Sequence, residues 1–285
     1  MMSYRKLLHV LMALVALLLI TAGTVSAKGS VRIAYVEWDC AAASTHVVQA
    51  ALEEMGYDVE ILPVAAAAMW QAVGTGNVDG MVTAWLPVTH ADYYERVKDN
   101  VENLGPIVGG AKLGWVVPSY VTAESIADLN DYAAQFNNRI IGIDPGAGLM
   151  RLSEEAIEEY GLDRFTLMEG SDATMTAALG NAVDRNEWVV VTGWSPHWKF
   201  GVWDLKYLDD PKGIMGDEER IHTIVRQGLK DDMPEVYNFL NNFSWENPDQ
   251  LQMVMAWNQE PGSDRLENAK RFLRENPEQV QGWKQ

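Results

Sequence analysis

The sequence predicts an α/β fold of two lobes, each a sheet built from βαβ units and flanked by helices, joined by a hinge of two crossings. Three observations predict it. Apolar β-branched runs alternate with helix-length amphipathic stretches, the pattern of parallel sheets covered by helices. That alternation runs as βαβαβ twice, over residues 31–85 and again over residues 139–194. The last strands of the two runs end in near copies of one phrase, Val82-Thr83-Ala84-Trp85-Leu86-Pro87 and Val191-Thr192-Gly193-Trp194-Ser195-Pro196.

Before the first repeat, Arg5 and Lys6 precede an apolar run from about Leu7 to Ile20, and Val25-Ser26-Ala27 resembles a small-residue cleavage site. That layout is a secretory signal peptide. The run is shorter than the ~20 residues a spanning helix needs, and it contains His9. Residues 1–27 are therefore read as a cleaved signal with no Cys near the cut to accept a lipid. The signal carries two basic and no acidic residues, so its loss takes the net charge from −18 to −20. Such acidity argues against nucleic acid as a partner, because phosphate backbones need basic patches.

In the first repeat, Val31 to Val36 alternates as a strand. Ser44 or Thr45 is the expected cap of a helix carrying Val47, Val48, Ala51, Leu52 and Met55, with Gly56 ending it. Val59-Glu60-Ile61 is a second strand, Met69 to Val73 a second helix, and a third strand runs into Trp85. In the second repeat, Arg139 to Ile143 is a strand, Leu149 to Tyr160 a helix ended by Gly161, and Phe165 to Leu167 a strand. Met175 to Val183 is a helix, and Trp188 to Thr192 leads into Trp194. Leu113 to Val117 and Ile221 to Val225 are the expected crossings, and residues after about Asp232 are amphipathic helices. The first lobe is thus residues 28–112 plus 221–285, and the second is residues 113–220. The single cysteine, Cys40, cannot form an internal disulfide and reads as a small buried hydrophobe.

Ligands of open α/β sheets bind outside the carboxyl ends of the strands. Trp38, Trp85 and Trp194 all lie at such ends, two on the first lobe and one on the second. Three indole faces suit a quaternary ammonium ion. A second group must hold an anion if the ligand is a zwitterion. Asp144-Pro145-Gly146-Ala147-Gly148-Leu149 is a Gly-rich turn between a strand and a helix, whose first amides are free to bind a carboxylate. His90, five residues after Trp85, can add a hydrogen bond. Asp39 could accept from a ligand hydroxyl, or orient local backbone. His197 and Trp198 are expected to support the site rather than touch ligand. No Cys/His cluster has metal-ligand spacing, and no Ser/His/Asp order carries a nucleophile elbow, so no cofactor and no enzymatic activity are expected.

The chain resembles the substrate-binding proteins of glycine betaine/proline betaine ABC transporters. The resemblance is carried by Ala34 to Asp39 with Ala43-Ser44-Thr45, by Ala84 to His90, by Ile141 to Met150, by Thr192 to Trp198, by Lys206 to Lys212 and by Ile221 to Ile224. It implies a two-lobed periplasmic binding protein fold, type II-like. It implies that Trp38, Trp85 and Trp194 surround a trimethylammonium group. It implies that His90 and the amides of Gly148 and Leu149 hold the carboxylate. The implied partners are a betaine, a membrane permease and its ATPase, with the chain acting as a monomer in the periplasm. Choline, or a sulfonium analogue such as dimethylsulfoniopropionate, is the alternative ligand within this class.

Overall fold

The doubled βαβαβ pattern folds into two copies of one sheet topology. The computed structural model describes residues 27–285. The signal-peptide reading falls almost wholly outside them. Strand β1 (Ser30–Tyr35) leads into α1 (Asp39–Glu54), β2 (Asp58–Pro63), α2 (Ala66–Gly74) and β3 (Gly80–Leu86). Helix α3 (Ala91–Val97) and the long strand β4 (Val101–Pro118) follow. The second copy is β5 (Arg139–Ile141), α4 (Gly148–Glu159), β6 (Thr166–Met168), α5 (Asp172–Asp184) and β7 (Val191–Ser195). In both copies the first strand lies between the second and third and is parallel to them. Trp85 and Trp194 are each the penultimate residue of the third strand.

The sheets are not purely parallel, as the repeat alone suggests. Short helix α6 (Lys199–Val202) and strand β8 (Leu205–Tyr207) precede β9 (Glu219–Arg226). Strand β9 runs antiparallel to β3 on one side and to β4 on the other, and β4 then runs antiparallel to β7. Strand β4 exchanges β9 for β7 between Ala111 and Lys112, so one continuous strand passes from the first sheet into the second. Leu113–Val117 therefore lies in the second sheet, and Ile221–Val225 lies in the first.

Helix α1 begins earlier than its sequence suggests. Its N-cap is Trp38, without a side-chain cap, and Ser44 and Thr45 are buried inside the helix. The run Ala41-Ala42-Ala43 favours helix before the serine is reached. Ser44 instead accepts a hydrogen bond from Trp245 Nε1 at 3.1 Å. A hydroxyl followed by an apolar helical stripe resembles a cap locally, and here a tertiary contact decides its place.

The chain ends in helices α7 (Leu229–Asp232), α8 (Pro234–Asn242), α9 (Pro248–Asn258), α10 (Arg265–Glu275) and α11 (Pro277–Trp283). They surround an aromatic cluster in which Trp283 meets Phe243 at 4.9 Å and Trp245 meets Phe272 at 5.0 Å between ring centroids. Burying each such ring stabilises the fold by about 1.5–3 kcal/mol. This mass backs α1 and fixes the helix whose first turn reaches the cleft. Cys40 is buried in α1 without a disulfide, and burial pushes its thiol up to about 12.

Candidate ligand-binding site

The carboxyl ends of β1, β3, β5 and β7 converge on a cavity between the two lobes. It is lined by Trp38, Trp85, Thr89, Leu113, Ile143, Ala147, Gly148, Leu149 and Trp194, and holds about 280 Å³ of empty space. All lining side chains except that of Thr89 are apolar, and none is charged. Trp38, Trp85 and Trp194 are nearly buried, at 6%, 3% and 3% exposure, so their faces meet a site from which bulk water is largely excluded.

Both lobes bind each other directly around this cavity. Trp38 Nε1 donates to Asp144 Oδ1 at 2.8 Å, which fixes the indole against the Gly-rich turn of the opposite lobe. Tyr93 donates its hydroxyl to the Gly146 carbonyl at 2.8 Å. The Asp39 amide donates to Asp172 Oδ2 at 3.0 Å. Helix α4 starts at Gly148 with no side-chain cap, so its first amides have no partner within the helix. A Cβ at Gly148 would lie 2.1 Å from the Thr89 carbonyl oxygen of the other lobe. Only glycine allows this approach.

The segment carrying Thr89 follows the cis Leu86-Pro87 peptide, and the matching Ser195-Pro196 peptide is cis as well. Glu219, at the start of β9, holds that segment. Its Oε1 accepts from the amides of Val88 at 2.6 Å and Thr89 at 2.9 Å, and its Oε2 accepts from the Thr89 hydroxyl. Glu219 is itself buried. Glu219→Ala removes all three acceptor contacts and is expected to cost about 2–4 kcal/mol of stability. Urea denaturation checks this, and a loss below about 0.5 kcal/mol, the scatter of ordinary surface changes, would contradict the anchoring role.

His90 is fully buried but is not among the residues lining the cavity. Its Nδ1 accepts from the Trp85 amide at 3.1 Å, which places the ring proton on Nε2. Nε2 has no partner among the described residues. Burial lowers the imidazole to about 3, so it stays neutral at physiological pH. Trp38 packs on the ring at 5.7 Å, Trp70 at 5.8 Å and Tyr93 at 6.0 Å. The buried Trp70 meets the imidazole edge-on and helps confine it.

A buried polar group stands beside Trp194. His197 Nε2 donates to Asp172 Oδ1 at 3.0 Å, and His197 Nδ1 accepts from the Lys199 amide at 3.2 Å. The His197 ring meets Trp194 edge-on at 4.8 Å. Lys199 is fully buried, and its ammonium sits 4.3 Å from the centroid of the Trp194 ring. Asp39 Oδ2 accepts from Trp198 Nε1 and from Gln259. Burial, then repulsion from Asp172, pushes the Asp39 carboxyl up to about 6. Burial also works to raise Asp172, but the hydrogen bond from His197 and the nearby Lys199 outweigh it and hold that carboxyl low.

The structure thus brings together Trp38, Trp85, Trp194, Gly148 and Leu149 on one cavity, and places His90 behind Trp38. Asp39 lies outside the cavity, bound to Trp198 and Gln259. The sequence missed Leu113, Ile143 and Ala147 as wall, since small apolar residues at strand ends carry no local signal. It also missed Lys199, although a lysine five residues after a strand-end tryptophan was there to be asked about.

A family model described as the substrate binding domain of ABC-type glycine betaine transport system matches residues 29–275. The glycine betaine/carnitine transport binding protein GbuC of Listeria monocytogenes is 44% identical over 155 residues, which cover 54% of this chain and 51% of that protein. The match therefore spans about half the length of this curated relative. Lactococcal OpuAC, in its closed-liganded conformation complexed with glycine betaine, is 42% identical with a TM-score of 0.86, covering 90% of this chain and 100% of that one. The glycine/betaine/L-proline-binding protein ProX from Borrelia burgdorferi is 39% identical with a TM-score of 0.87, covering 90% and 97%. These neighbours share the two-lobed α/β fold.

Proposed function

The chain belongs to the family of substrate-binding domains of ABC-type glycine betaine transport systems, and from that premise we propose that it captures a zwitterionic quaternary ammonium compound, glycine betaine foremost, between its lobes. It is a transport protein and not an enzyme. The observation that carries the ligand reading is the apolar cavity walled by three indoles drawn from both lobes. Each cation–π contact contributes about 0.5–2 kcal/mol, more when dry. Uncharged walls leave the ligand's cation with ring faces as its main electrostatic partners.

The carboxylate is assigned to the Gly148 and Leu149 amides at the start of α4 and to the unpartnered Nε2–H of His90. Ligand touching both lobes favours the closed arrangement by its differential contacts. Lobes of residues 28–112 plus 221–285 and 113–220 would close on it like two jaws. The loaded protein, monomeric and exported to the periplasm, then delivers the solute to a permease and its ATPase. Among the described residues no helix is long and apolar enough to cross a membrane.

Titration calorimetry of His90→Ala tests the carboxylate assignment. Loss of a hydrogen bond to a charged group is worth about 1.5–3 kcal/mol, or roughly ten- to hundredfold in affinity. Glycine betaine should lose about that much and choline, which has no carboxylate, less than about twofold. Equal losses for the two compounds would contradict the role of His90. The neutral imidazole also predicts that this contact is insensitive to pH from 5 to 8, well above the value near 3 at which the ring would charge.

A further inference from the structure

Lys199 has no hydrogen-bond partner for its ammonium among the described residues, although it is completely buried. Trp194 lines the ligand cavity and Lys199 does not, while the Lys199 ammonium covers the Trp194 ring. We propose that Lys199 is a positioning residue for capture. Its ammonium and the ligand's cation load opposite sides of the Trp194 ring and oppose one another.

The opposition is electrostatic. An indole offers one π system to both faces, and a cation on one face draws density from the other. In a site shielded from water, the two positive charges also repel across the ring more strongly than they would in solvent. The partners facing Lys199 do not cancel this charge by contact. Asp172 on α5 is engaged by His197 and the Asp39 amide, and Asp39 on α1 by Trp198 and Gln259. Neither carboxylate is within ion-pair distance of Lys199, Cys40 on α1 is a high-pKa thiol, and Phe200 offers only its ring at 5.5 Å. Burial lowers Lys199 to about 8 despite Asp172, Cys40 and Asp39, so its charge is lost within an accessible pH range. His197, lowered by burial to about 4, has finished titrating below that range, and Asp39, near 6, is mostly ionised by pH 7.

Two consequences follow by linkage. Glycine betaine binds more tightly as pH rises through about 8, and its binding releases a fraction of a proton there. The expected gain is about three- to tenfold between pH 7 and pH 9.5, with a few tenths of a proton released near pH 8.

This inference rests on the cage reading, and calorimetry in two buffers of different ionisation enthalpy separates the two. The full chain is titrated with glycine betaine and with 3,3-dimethylbutyrate, the carbon analogue that keeps the carboxylate and lacks the cation, from pH 6.5 to 9.5. Lys199→Met preserves volume and removes the charge; Lys199→Gln is the second variant should the first not fold. Both should bind betaine about three- to tenfold more tightly at pH 7 than wild type does, with a flat pH profile and no proton release near pH 8. The carbon analogue should gain less than about twofold from the same substitution. Wild-type binding that is flat across this range, or equal gains for the two compounds, would overturn the inference while leaving the cage intact. Wild-type affinity equal for betaine and its carbon analogue would overturn the cage reading and this inference with it.

Discussion

Trp38→Ala is expected to weaken glycine betaine binding by about a hundredfold or more. Two losses add. The substitution removes one aromatic wall, worth about 0.5–2 kcal/mol to a cation. It also removes the indole N–H that reaches Asp144 in the other lobe, so the half-buried Asp144 carboxyl loses its partner on Oδ1, while the buried Oδ2 already has none. Leaving a buried acceptor unsatisfied costs about 1–3 kcal/mol, more for a charged group. This penalty falls on the closed arrangement, in which the two lobes meet. Trp38→Phe keeps a π face and loses only the hydrogen bond, so its affinity should fall between those of wild type and alanine. Trp194→Ala, which removes a wall without an interlobe hydrogen bond, should weaken binding by more than about tenfold. Titration calorimetry orders the three variants. Trp38→Ala binding within about threefold of wild type would contradict the double role, since even one lost π wall accounts for that much.

Gly148→Ala is expected to be as damaging by a different route. The new Cβ would meet the Thr89 carbonyl oxygen at 2.1 Å and the Thr89 Cγ2 at 2.7 Å. The oxygen belongs to backbone, and Glu219 holds the segment on both its amide and its hydroxyl, so it cannot step aside cheaply. The conflict exists only when the lobes meet, because Gly148 and Thr89 belong to opposite lobes. The unliganded protein should therefore melt within about 2 °C of wild type, less than about 1 kcal/mol would produce. Betaine affinity should fall by about a hundredfold, since overpacking of this kind costs about 1–3 kcal/mol or more. A variant of wild-type affinity would show that the lobes bind ligand without this approach. A large drop in melting temperature without ligand would show that the contact belongs to the fold and not to closure.

The doubled architecture was legible because it is written in local patterns. The same strand and helix periods recur in the same order, and the third strand of each copy ends in Trp-x-Pro. The sheet order confirms the copies, with the first strand central in each. The antiparallel join of β4, β9 and β7 was not legible, because pairing between strands a hundred residues apart leaves no mark on either strand alone. The three tryptophans and the Gly-rich turn were visible for the same reason as the repeat: aromatic and glycine positions at strand ends are conspicuous. What fixes them was not. Asp144 reaches Trp38, Glu219 reaches Thr89, and Lys199 reaches Trp194 only after the chain has folded. The expected cap at Ser44 failed on the same ground, because Trp245, two hundred residues on, claims that hydroxyl.

A crystal structure of the mature protein with glycine betaine locates the ligand outright. The trimethylammonium group should lie among the rings of Trp38, Trp85 and Trp194, with carboxylate oxygens within about 3.2 Å of the Gly148 or Leu149 amides and of His90 Nε2. Betaine seated outside this cavity, or within it with the carboxylate turned away from α4 and His90, would contradict this assignment.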